Sequence, residues 1–179
     1  EAWSLMAQIH QSRNEYQAAD VAWGRVTKRE PLNSLVVSQR GFNALNAGQL
    51  QAAEQLFARA LNIDPLNEAA PFGLAPILAQ KERLAAAEGL MMQTALLFPK
   101  LAPAHLFLAR FARARDDVDG AVARYQAAIK HDPTGPTAHL ELISLAHEVG
   151  QLEAASAWRD RALRAIPDLA LPPQIKALP

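Results

Sequence analysis

Cysteine is absent from this chain of 179 residues, which excludes disulfide frameworks, thiolate zinc sites and cysteine nucleophiles together and leaves the compartment open. Charge of either sign is lacking in excess: eighteen Lys and Arg cancel eighteen Asp and Glu. With no basic block, nothing resembles the electrostatic footprint of a nucleic-acid binder, so no nucleic acid is expected as a partner. No apolar run approaches the roughly 20 residues that a membrane helix needs, and no signal peptide opens the chain. A soluble protein without membrane insertion is therefore expected. The chain opens at Glu1 without methionine, inside a helical pattern, and reads as a processed chain or a fragment, which leaves room for further repeats or another domain. Arginine outnumbers lysine thirteen to five, a composition that hints at a GC-rich bacterial source, in cytoplasm or periplasm.

What is present is periodic. Half of the residues are apolar, and Pro31, Pro65, Pro99, Pro133 and Pro167 follow one another at intervals of 34 residues. A recurrence of this length is the mark of a stacked-repeat solenoid. Within one period, Gly41 to Pro65, two short amphipathic helices meet at a turn at Gly48, with Ala53, Leu56, Phe57 and Ala60 lining up after it. The same reading gives five helix-turn-helix units, 1–33, 34–67, 68–101, 102–135 and 136–169, and so ten helices in five antiparallel pairs with no strand. Trp3 and Trp23 are large core candidates in the first unit. Asn33 and Asn67, two residues beyond their prolines, are candidate N-caps. Pro71 and Pro103 suit a first helical turn, but Pro76 falls in a helix interior and predicts a bend or an interruption there. Asp116, Asp117 and Asp119 suit a turn and a helix N-terminus. Pro172 and Pro173 oppose a further full helix, so the tail 170–179 is expected to be extended. Leu169, Leu171, Ile175 and Leu178 could fold back over the last repeat, whose outer face otherwise lacks a cap.

Alanine-rich helix pairs, the 34-residue period and the closing Asp-Pro together resemble the tetratricopeptide repeat family over residues 1–169. The family's aromatic and small positions fall on Trp3, Ala7, Ala19 and Trp23, and on Gly41, Ala53, Phe57, Ala60 and Pro65. In the later units they fall on Leu108, Ala109, Ala121, Tyr125, Ala128 and Pro133, and on Leu142, Ala155, Ala162 and Pro167. The departures are Arg40 where leucine is usual, Pro76, and Arg159 where a large apolar residue is usual. The resemblance implies an all-α fold, a right-handed α-α superhelix of about five repeats. It also implies a concave groove lined by the first helices, onto which Gln8, Ser38, Phe42, Leu45, Phe72, Pro76, Leu106, Arg110, Arg113, Leu140, Ser144 and His147 carry over. The family's carboxylate-clamp lysine and asparagine pattern is not among them, so recognition of an acidic chaperone tail is not expected.

Little points to catalysis. Glu141, Ser144, His147 and Glu148 share a helical face, offering an acid, a hydroxyl and a base, but helix-surface polarity explains them equally and no nucleophile elbow is near. His105 and His139 hold equivalent places in adjacent units. Stacked helices stand about 8–10 Å apart, whereas imidazoles sharing zinc lie only about 2 Å from it, so histidines packed between helices are expected rather than a metal site. None of Gly41, Gly48, Gly73, Gly89, Gly120, Gly135 and Gly150 belongs to a phosphate-cradling motif, and no cofactor is expected.

The reading that follows is a non-enzymatic interaction module whose groove takes a peptide or helix of a partner protein. Its expected binding residues are Phe42, Leu45, Phe72, Leu106, Leu140 and Ser144, with Arg110 and Arg113 free to pair with acidic partner groups. Alternatively Phe42, Phe72 and Leu106 cover one another as core. Two other functions fit the same pattern: a scaffold that self-associates through its array ends or groove, and the targeting part of a larger bacterial enzyme or export protein.

Overall fold

The computed structural model describes residues 2–178. Among these, eleven helices and no strand are found: α1 (Ala2–Ser12), α2 (Tyr16–Arg29), α3 (Ser34–Asn46), α4 (Leu50–Ile63), α5 (Ala70–Gln80), α6 (Leu84–Leu97), α7 (Ala102–Ala114), α8 (Val118–His131), α9 (Pro136–Glu148), α10 (Leu152–Ala165) and α11 (Pro173–Lys176). They fall into two compact units. One holds α1 to α6 and ends at Leu97; the other begins at Phe98 and holds α7 to α11.

The 34-residue period is written into the backbone at each turn within a pair. Asn14, Gly48, Glu82, Asp116 and Gly150 all have left-handed φ, between 59° and 77°. The next residue's N–H then reaches back six positions inclusive to the preceding helix: Glu15 to the His10 carbonyl, Gln49 to Ala44, Arg83 to Leu78, Asp117 to Ala112 and Gln151 to Ala146, each at 2.9–3.0 Å. This is the hydrogen-bond closure that ends a helix through one left-handed residue. Glycine, the residue best suited to that conformation, fills only two of the five positions. Asparagine side chains close two of the turns between pairs. Asn33 Oδ1 accepts from the Val36 N–H at 3.2 Å, and Asn67 Oδ1 from those of Ala69 and Ala70 at 3.1 and 2.8 Å.

In the first unit α3, α4 and α5 close around Phe57, which is wholly buried. Its ring lies against two glycines. A Cβ built on Gly41 would stand 2.8 Å from the ring and one on Gly73 2.0 Å from it, so α3 and α5 approach the aromatic only because those two residues have no side chain. Ser38 is also fully buried, donating to the Ser34 carbonyl at 3.0 Å and to Asn67 Oδ1 at 3.1 Å. It belongs to the interior rather than to a groove. Trp23 is buried as expected, but Trp3 is 36% exposed and lies under the Arg25 guanidinium, 5.0 Å from the ring centroid.

α5 runs unbroken through Pro76. Of the bend or interruption expected there, the interruption does not occur: proline's fixed φ is itself helical, its ring points outward, and buried Leu74, Ala75, Ile77 and Leu78 flank it.

In the second unit Tyr125 takes the place that Phe57 has in the first, fully buried among Ala109, Ala112, Ala121, Ala128 and Leu142. The tail is not extended throughout. It makes the single turn α11 and buries Ile175 and Leu178 in a cluster with Ile143, Ala146, Ala155 and Ala162, with Leu169 and Leu171 partly covered beside them. Arg159, which stands where an aromatic would repeat, donates from Nη1 to the Leu178 carbonyl at 2.6 Å.

Candidate functional site

In the first unit α3 carries Phe42 and Leu45, and α5 carries Phe72, all three half-buried. Phe42 meets the buried Phe57 edge-on, with centroids 4.8 Å apart and planes at 71°, a favourable aromatic geometry. Each of the three shows part of its surface. Two polar ties fix α3 against α2. Asn43 Nδ2 donates to the Tyr16 carbonyl at 3.0 Å, and Arg40 grips Asp20 through Nε at 2.7 Å and Nη2 at 3.2 Å. The arginine that departs from the family pattern thus holds a carboxylate of the preceding helix.

In the second unit Leu106 on α7 and Leu140 and Ser144 on α9 are half-buried, and Leu106 packs on the Tyr125 cluster. Arg110 and Arg113, expected to be free for a partner, already hold carboxylates of α9. Arg110 donates from Nε and Nη2 to Glu141 at 2.5–3.1 Å, and Arg113 from Nη2 to Glu148 at 2.6 and 2.8 Å. Tyr125 donates its hydroxyl to Glu141 Oε2 at 3.0 Å. Glu141 is therefore a junction between a surface arginine and the buried phenol. The phenol's pKa is pushed up to about 12, first by burial and then by the charge and hydrogen bond of Glu141. The hydrogen bond to Glu141 likewise raises Arg110 above its ordinary value.

Both carboxylates on the candidate acid-base face, Glu141 and Glu148, are held by arginines, and among the described residues Ser144 and His147 share no hydrogen bond. His105 and His139 repeat one device. Each Nε2 lies 2.9 Å from a carbonyl six residues back, that of Pro99 or of Pro133. A carbonyl only accepts, so each Nε2 carries the proton and ties its helix to the loop before it. Among the described residues no group of three or more histidines or carboxylates could hold a metal ion, and no helix is long and apolar enough to cross a membrane.

Sequence reading missed the Arg110–Glu141 and Arg113–Glu148 pairs, although a signal existed. Their separations of 31 and 35 residues are one period of 34 less three and plus one, the offsets that bring side chains together on successive first helices.

Helical hairpins repeated at a fixed period define an α-helical repeat protein. Within that class, the sequence model of the tetratricopeptide repeat family matches residues 112–178. Solved structures agree on the fold. MamA from Desulfovibrio magneticus RS-1 is 16% identical over 92% of this chain and 93% of its own, with a TM-score of 0.74. TTC0263, a thermophilic TPR protein of Thermus thermophilus, is 19% identical over 93% and 91%, with a TM-score of 0.72. YrrB, described as a TPR protein with an unusual peptide-binding site, is 17% identical over 93% and 86%, with a TM-score of 0.66. No curated protein matches the chain.

Proposed function

We propose that this protein is a non-enzymatic module that receives a peptide or helix of a partner protein on the faces of its first helices. In the first unit the anchors are Phe42, Leu45 and Phe72; in the second they are Leu106 and Leu140, with Ser144, Arg110 and Arg113 beside them. One observation carries the reading: Phe42 and Phe72 remain half-exposed next to Gly41 and Gly73, where the buried Phe57 packs. An aromatic surface held that firmly loses little entropy when a ligand covers it, which favours binding by a few apolar anchors. YrrB, a fold neighbour described as having a peptide-binding site, lends support. The arginines modulate, because an acidic ligand must first compete with Glu141 and Glu148. Affinity capture with the whole chain tests the reading, using Phe42→Ala and Phe72→Ala as controls. Truncating such anchors commonly weakens binding by at least about 2 kcal/mol. Loss of the captured protein with an unchanged Tm is expected. Destabilisation by roughly 3–5 kcal/mol would instead class both rings as core and overturn the reading.

A second reading, self-association, draws on α1. Trp3, Leu5, Met6 and Ile9 are 36, 60, 44 and 42% exposed on a helix without a single Asp, Glu, Lys or Arg, and such a face favours apolar contact. Sedimentation over a range of concentrations checks it: a mass that rises in the native chain and stays monomeric in Leu5→Glu with Ile9→Glu is the expected result.

A further inference from the structure

α2 presents Val21, Gly24, Arg25 and Lys28 along one side, and with Arg40 of α3 and Arg59 of α4 they line a cleft of about 690 Å³. In a chain of zero net charge, this cleft is strongly cationic. Its one lining carboxylate, Asp20, is already held by Arg40. Arg59 donates to the Pro31 carbonyl at 3.0 Å, which orients the guanidinium without a counter-charge, and Arg25 lies over the uncharged Trp3 ring. Among the described residues no carboxylate pairs with Arg25, Lys28 or Arg59.

Gly24 adds a second, independent observation. It lies inside α2, where glycine costs about 1 kcal/mol relative to alanine. Nothing in the fold requires it: a Cβ there would meet no atom within 4 Å, in contrast to Gly41 and Gly73, and its φ is not left-handed. A bare backbone in the wall of a charged cleft allows the main chain of a ligand to approach closely. Val21, 63% exposed, offers a large apolar contact beside it.

We infer that this cleft binds an extended acidic segment of a partner protein, with carboxylates on Arg25, Lys28 and Arg59, the segment's backbone over Gly24 and one apolar side chain on Val21. The inference takes from the interaction-module reading only the class of ligand. Its residues lie on other elements than Phe42, Leu45 and Phe72, or on other faces of the same helix, so either can fail without the other. Three uncompensated cations in a neutral chain are too few for a nucleic-acid track, where each phosphate contact adds to affinity.

Fluorescence anisotropy on the whole chain at about 0.05 M salt, where exposed charges are weakly screened, tests it. The probe is a short fluorescein-labelled peptide of glutamates around one leucine. Saturable binding is expected, weakened at least about tenfold by Lys28→Glu, alone or with Arg59→Glu. Gly24→Gln is expected to weaken it at least about fivefold with no fall in Tm, since α2 gains a better helix former. Phe42→Ala should leave this binding unchanged. Absence of saturable binding, equal binding of a lysine peptide or a single-stranded oligonucleotide, indifference to Lys28→Glu, or loss in a Phe42→Ala chain whose Tm is unchanged would each overturn the inference.

Discussion

Glu82 and Asp116 occupy the left-handed position that Gly48 and Gly150 fill in other repeats, and a side chain with a Cβ is strained there. Glu82→Gly and Asp116→Gly are each expected to stabilise the chain by about 0.5–1 kcal/mol, part of the relief being offset by glycine's greater freedom when unfolded. Gly48→Ala should destabilise by about 1 kcal/mol, and denaturant midpoints at constant m-value would show both directions. Tyr125 supplies a pH dependence. Its folded pKa of about 12 lies above the ordinary 10.0, so the folded chain keeps a proton that the unfolded chain releases. The stability this contributes is whole below about pH 10 and is lost as pH rises from there to about 12. Tyr125→Phe should flatten that alkaline limb by roughly 2 kcal/mol, and urea titrations of both chains between those limits would show it. If the two limbs fall in parallel, the phenol does not carry the effect.

At the scale of helices, the tail makes the clearest forecast. Ile175 and Leu178 are 1% and 8% exposed against α9 and α10, and Arg159 fastens the Leu178 carbonyl. Deleting residues 170–179 should lower Tm by at least about 5 °C, and Ile175→Ala alone should cost about 2–4 kcal/mol. An unchanged Tm would show that the segment covers nothing. Helix limits were largely legible in the sequence, because their signals are local. Asn33 caps α3 as expected, Asn67 sits two residues before the Ala69 cap position of α5 and still accepts from the Ala70 N–H, and Gly48 and Gly150 turn where a left-handed residue is needed. What escaped depends on contacts distant in sequence. Pro76 is carried by the packing of its neighbours, and Trp3 is exposed although its spacing suits a core. The partners of Arg40, Arg110 and Arg113 are chosen by long flexible side chains reaching between helices, which no local pattern specifies.

For the molecule as a whole, the period of 34 residues sufficed for the repeat class because a fixed recurrence leaves few architectures to choose from. The surface proposed for a partner was legible only by analogy. Phe42 and Phe72 were visible as apolar positions, but their half-burial was not, and the contact of Phe42 with Phe57 sits where Gly41 and Gly73 leave room for that ring. The cationic cleft escaped altogether, since Arg25, Lys28, Arg40 and Arg59 are scattered among carboxylates along the chain and are sorted from them only on folding. Within each unit, moreover, every helix packs on its successor or the next but one. Partners so close along the chain meet with little search, so compaction is expected on the microsecond-to-millisecond scale typical of local topologies. A pair such as α1 and α2 can close as soon as both have left the ribosome, long before the later helices exist.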